Sequence, residues 1–222
     1  MAKQPTSTTP SSTPQQTTAT LYYAYDPMCS WCWAFRPLWD ALQAALPSNV
    51  NVVYLAGGLA PDCDQPMPVE QQHTIQGYWH EIHRQLGTEF NFDFWQHNTP
   101  RRSTYMSCRA AIAAANQNAQ TEMIDAIQKA YYLRALNPSD IPILCQLAAE
   151  LGLNVSQFEQ DLLSADTEIE FKRQMALARS LPIDGFPSVI LEQGGQVVRL
   201  QREYRDHQVQ LEQILGLLAQ HP

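Results

Sequence analysis

Two cysteines separated by two residues, Cys29-Ser30-Trp31-Cys32, can close a small disulfide and reopen it by exchange. Exchange needs one accessible thiolate to attack and one nearby thiol to resolve the mixed disulfide. The pair follows an apolar run, Leu21-Tyr22-Tyr23-Ala24-Tyr25, through the short link Asp26-Pro27-Met28. That run has the character of a buried strand, and the cysteines fall where the next helix begins. Unpaired N–H groups at a helix start favour negative charge, so a thiolate at Cys29 is stabilised there. Asp26, three residues earlier, opposes this by like-charge repulsion. The competing uses of such a pair are inert core thiols or half of a zinc site. A zinc site normally needs a second ligand pair, for which the chain offers His80 and His83.

The elements that must position this motif alternate in type. The strand at Leu21–Tyr25 leads into a helix that runs to about Leu46, with Pro37 inside it as a kink. A second strand covers Asn49 to Leu55 and ends at Gly57-Gly58. From Pro68 to Leu181 the strand period disappears. Helices are predicted at Val69–Leu86, Ser103–Asn116, Glu122–Arg134, Ser139–Leu151, Ser156–Leu163 and Asp166–Leu181. Ser139 and Asp140 are the expected caps of the fourth. An aromatic loop, Glu89–Trp95, separates the first two and reads as core cover. Strand period returns after Gly185-Phe186-Pro187, at Ser188–Glu192 and Gln196–Leu200 around Gly194-Gly195. A last helix spans about His207–Ala219. The order is βαβ, a long helical block, then ββα.

Composition narrows the function. The 222 residues carry a formal net charge of −8, which argues against a nucleic-acid surface. No apolar run approaches the roughly 18 residues of a membrane span. The first 20 residues are rich in Thr, Ser, Pro and Gln, and read as a disordered polar tail without a signal peptide. The cytoplasm is then the default compartment, where isolated structural disulfides are rare. Five cysteines cannot all pair within one chain, which suits a redox pair plus three thiols. Of these three, Cys108 and Cys145 lie in apolar helical stretches and are expected to be packed; Cys63 lies in an acidic loop.

Taken together, the sequence resembles the DsbA family, an α/β thioredoxin fold with an inserted all-helical domain. The motifs that carry the resemblance are Cys29-Ser30-Trp31-Cys32 after the first strand, Pro37 in the following helix, Phe186-Pro187 before a late strand, and the helical block between the halves. More closely, Tyr25–Trp33 and Thr99–Tyr105 resemble a bacterial branch labelled as protein-disulfide isomerases. The resemblance implies a discontinuous thioredoxin domain at 21–60 and 182–220 and a helical insertion at 61–181; because strand period stops near Leu55 and resumes after Pro187, Leu55 and Ser188 are expected in neighbouring strands of one sheet. It places His80 and His83 in the insertion, far from the cysteines, so no metal and no bound cofactor are expected. It implies an exposed nucleophile at Cys29, a more buried resolving thiol at Cys32, and a cis bond before Pro187 that presents the Phe186 backbone to substrate. Trp31, Phe186, Arg101 and Arg102 are the expected substrate contacts. One departure stands out. Family members often hold a buried acid six residues before the first cysteine, and here that residue is Tyr23.

The expected activity is thiol–disulfide oxidoreduction or isomerisation on protein or peptide disulfides, in the cytoplasm, with glutathione as a further partner and no nucleic-acid or membrane partner. Two alternatives stand beside it: a glutathione-dependent transferase or isomerase of the kappa type, which chiefly uses serine at the active position, and a non-enzymatic peptide-binding module.

Overall fold

The computed structural model describes residues 19–220. Of the tail predicted at 1–20, residues 1–18 therefore lie outside the described residues, and Ala19 and Thr20 already belong to a strand. That strand, β1 (Ala19–Tyr25), is central in a four-stranded sheet of order β2-β1-β3-β4. β2 (Val50–Ala56) runs parallel to it, while β3 (Ser188–Gln193) runs antiparallel on its other side. β4 (Gln196–Arg199) completes the hairpin at the edge. Leu55 and Ser188 are thus in one sheet but are not neighbours: both pair with Ala24, from opposite sides. The buried run of β1 explains this. A strand apolar at every position from Leu21 to Tyr25 needs cover on both faces and partners on both edges.

Alternation along β1 divides the two faces. Leu21, Tyr23 and Tyr25 pack against Phe35, Leu38, Trp39 and Leu42 of α1 (Ser30–Ala45). Tyr23 stacks on Trp39 with ring centroids 4.2 Å apart, so the position where an acid was sought is filled by core aromatic contact. Tyr22 and Ala24 face the other side with Val53, Leu55 and Ala178. α1 also supplies the crossover that a parallel β1–β2 pair requires, and Pro37 lies within it.

Between β2 and β3 the described residues form α2 (Val69–Leu86), α3 (Phe94–His97), α4 (Tyr105–Ala115), α5 (Gln120–Tyr132), α6 (Ile141–Glu150), α7 (Val155–Leu162) and α8 (Ala165–Ser180). α9 (His207–Leu218) follows the hairpin and packs on α1. The aromatic loop ends in a helical turn rather than staying irregular: α3 carries Phe94 and Trp95, which surround the buried Trp79 together with Phe90 and Phe92. α8 packs on β2, and its Gln174 side-chain oxygen accepts from the Ala56 N–H at 2.9 Å. That contact ties α8 to the sheet, on the near side of the boundary read at residue 181. No helix among the described residues is long and apolar enough to cross a membrane.

Candidate active site

Cys29 is the N-cap of α1 in extended conformation, so Ser30 opens the helix and Cys32 lies within its first turn. No side chain caps this end. Both thiols are free. Cys29 is 7% exposed and Cys32 fully buried, so the expected order of access holds while Cys29 is far more covered than anticipated. A hydrogen bond from the Cys32 thiol holds Cys29 below the ordinary thiol value, with the backbone N–H groups of Cys32 and Trp31 acting the same way. Burial and the Asp26 charge oppose this. The helix start therefore contributes, but the partner thiol contributes more. Burial drives Cys32 well above the ordinary value, and its contact with Cys29 adds to this. One thiol is thus poised to ionise and the other to stay protonated.

The loop before β3 closes over Cys29. The Phe186–Pro187 bond is cis, and the Cys29 thiol donates a hydrogen bond to the Phe186 carbonyl oxygen, 3.5 Å from Sγ. The Phe186 ring rests on Gly57. A Cβ at Gly57 would lie 1.9 Å from the tip of that ring, too close for both to stay. Gly57→Ala is accordingly expected to expel the ring and to destabilise the fold by about 1–3 kcal/mol, as overpacking does. A urea midpoint unchanged from wild type would refute the tight seat.

Of the other expected contacts, Trp31 is half-buried with its ring 5.3 Å from that of Tyr204. Trp33 stacks on Tyr132 at 5.7 Å and donates its Nε1–H to the Glu89 carbonyl. The two arginines are not gathered at the thiols. Arg101 donates to the Ser139 carbonyl and pairs with Asp140, at the start of α6. This also explains why Asp140, although the N-cap, makes no capping bond. Arg102 acts on Tyr131 at the aromatic cluster. Neither arginine touches Cys29 or Cys32 among the described residues. His80 stacks on Phe92 and His83 bonds the Thr88 carbonyl, in the helical region. Cys108 is fully buried, but Cys145, expected to be packed, is only half-buried, as is Cys63.

Asp26, which the sequence presents only as a charge opposing the Cys29 thiolate, has a larger place in the site. It is fully buried. Its Oδ1 accepts from the Met28 N–H at 2.8 Å. Its Oδ2 accepts from the Leu59 N–H at 2.7 Å, from Thr104 Oγ1–H at 2.6 Å and from Cys108 Sγ at 3.6 Å. Burial raises its carboxyl above the usual range, while these donors pull the other way. Asp26 also raises both Cys29 and Cys32 electrostatically. Thr104 is the N-cap of α4, yet its hydroxyl goes to Asp26 instead of capping its own helix. The helical region thus supplies two donors to an acid beside the dithiol. The available signal was Asp-Pro-Met: an aspartate bonding the N–H two residues on is an Asx-turn, which fixes its carboxylate inward.

A profile of the DSBA-like thioredoxin domain matches residues 20–205. A Nitrosomonas europaea structure assigned as a protein disulfide isomerase is 25% identical, with TM-score 0.80, covering 92% of this chain and all of that one. The cytosolic disulfide reductase DsbM of Pseudomonas aeruginosa is 26% identical with TM-score 0.74, covering 89% of this chain and 99% of that one; a structure of it with glutathione also matches. The ClpXP adapter protein SpxH of Halalkalibacterium halodurans is 23% identical over 77% of this chain and 57% of its own length. The match thus spans little more than half of that relative.

Proposed function

Because the chain belongs to the DSBA-like thioredoxin domain family, we propose that it reduces disulfides of protein or peptide substrates through Cys29 and Cys32, in the cytoplasm, with a small thiol such as glutathione restoring the dithiol. The observation that carries this reading is a free dithiol at the start of α1, with a slightly accessible Cys29 under the Phe186 carbonyl and a fully buried Cys32 beside it. The Cys29 thiolate attacks a substrate sulfur. A Cys29–substrate disulfide forms and one substrate thiolate leaves to take up a proton. Cys32 then gives up its proton and attacks Cys29 Sγ. The second substrate thiol departs, and the Cys29–Cys32 disulfide holds the two electrons' worth of oxidation. Two external thiols reverse that last bond.

Phe186, whose carbonyl lies over the attacking sulfur, and Trp31, within the motif, are the substrate contacts we assign; an extended peptide can pair with the Phe186 backbone as an added strand. Arg101 and Arg102 serve the scaffold in this reading. Residues 21–60 and 182–220 form the thioredoxin unit, with α8 joining its sheet and the rest of 61–181 inserted. The direction of electron flow is favoured by the likeness to the cytosolic reductase. The kappa-type transferase reading is disfavoured by cysteine at both motif positions. A redox titration against glutathione tests the proposal. A potential near the about −270 mV of thioredoxin supports a reductant; one near the about −120 mV of DsbA rejects that direction. Absence of insulin reduction, with peptide binding intact after cysteine loss, would instead favour the binding-module reading.

A further inference from the structure

Behind Pro187, on the side of the sheet covered by α9, lies a cavity of about 320 Å³. That is the lower end of the size range of small-molecule sites. Pro187, Asp184, Arg199, Arg202, Gln210 and Gln213 are among its walls. Gln210 is 1% exposed. Its Nε2 donates to the Gln201 carbonyl at 2.8 Å, which fixes the amide orientation, and its Oε1 is buried without a partner. A buried acceptor left unpaired is unfavourable unless something in the cavity donates to it. The opposite wall is cationic. Arg199 and Arg202 both pair with Asp184, which leaves one net positive charge. Arg202 also donates its Nε–H to the Pro187 carbonyl at 3.1 Å. Gln213 spends its oxygen on the Gln201 N–H, so its amide nitrogen is the group left to donate.

We propose that this cavity binds a small carboxylate carrying an N–H donor, as presented by a peptide terminus or a free amino acid. The carboxylate faces Arg199 and Arg202 with the Gln213 amide, and the N–H donates to Gln210 Oε1. This pairing meets both the charge and the unpaired acceptor, which a water molecule meets only in part. Arg202 links the occupant to the loop that carries Phe186. Binding needs neither thiol, so the proposal stands or falls apart from the disulfide chemistry.

Calorimetric titration of the Cys29→Ser/Cys32→Ser protein, which cannot exchange thiols, tests it with three probes. N-acetylglycine offers a carboxylate and an amide N–H. N-acetylsarcosine lacks the N–H. Glycine offers an ammonium instead. N-acetylglycine should saturate, and N-acetylsarcosine should bind about fivefold more weakly, the worth of one hydrogen bond. Gln210→Met should erase that difference. Arg199→Gln, on the exposed edge strand, should weaken N-acetylglycine by about tenfold, as loss of a charged donor does. Glycine binding more tightly than N-acetylglycine assigns the site to free amino acids, and the reverse order to peptide termini. Failure of N-acetylglycine and glycine alike to saturate overturns the proposal. So does equal binding of N-acetylglycine and N-acetylsarcosine, or affinity unchanged by Arg199→Gln.

Discussion

Cys32→Ala is expected to turn the protein into a trap that accumulates substrate as long-lived mixed disulfides on Cys29. The attacking sulfur remains at the mouth of α1, but no second thiol remains to displace the substrate. Cys29→Ala should trap nothing and fall to background turnover, because Cys32 is fully buried and its thiol is held well above the ordinary value. The two variants differ in a further way. The Cys32 thiol is the largest cause of the lowered Cys29 value. Its removal should therefore raise the alkylation midpoint of Cys29 above that of the intact dithiol, which itself lies below the free-thiol value of about 8.5. Mass mapping of adducts and alkylation rate against pH provide the measurements. Faster alkylation of Cys32 than of Cys29 near pH 6, or adducts collecting on Cys63 or Cys145, would reverse the assignment of roles.

Asp26→Asn should produce two effects of opposite sense. Loss of its charge removes a repulsion from Cys29, so Cys29 should ionise at lower pH. Turnover should nonetheless fall, by on the order of 10² if Asp26 accepts the Cys32 proton during resolution, the lower end of what a positioned base contributes. A merely structural acid would not separate the two readouts. If turnover rises in step with Cys29 ionisation, Asp26 is no proton acceptor. Stability provides an independent check. The folded-state value of Asp26 is raised. Its contribution to stability is therefore complete below the ordinary carboxylate value of about 4 and is lost as pH rises through the raised one. Cys29, being lowered, contributes in the opposite sense at higher pH, so the comparison belongs in a Cys29→Ser background. There, melting temperature should decline with rising pH when Asp26 is present and stay flatter with Asn. Equal slopes would mean that Asp26 is not raised.

Local pattern made the strands and helices legible, because β1 is apolar throughout and the hairpin turns at Gly194-Gly195. The dithiol was legible from two cysteines spaced at a helix start, whereas the cis bond before Pro187 was legible only through the family resemblance, since most bonds before proline are trans. Long-range partnership was not. That Ala24 stands between Leu55 and Ser188 follows from strand order, which periodicity does not encode. Arg101 looked like a cleft cation until Ser139 and Asp140 were found to hold it. The charge of Asp26 was legible but its burial was not, because that depends on Leu59, Thr104 and Cys108, none adjacent in sequence. The acid was sought on β1, where Tyr23 instead packs against Trp39.

The central place of β1 also bears on how the chain is made. β1, α1 and β2 emerge from the ribosome before the helical region and can assemble locally. The antiparallel edge of β1 must wait for β3, from the far end of the described chain. Until β3 emerges Tyr23 has no Val189 opposite it, and Cys29 has no Phe186 carbonyl over it. Pairing over such a separation is slow relative to local contacts. The nascent chain therefore passes through an interval in which its most reactive sulfur is uncovered beside an open strand edge. Synthesis in a reducing compartment would protect the chain during that interval, before the finished fold can protect itself.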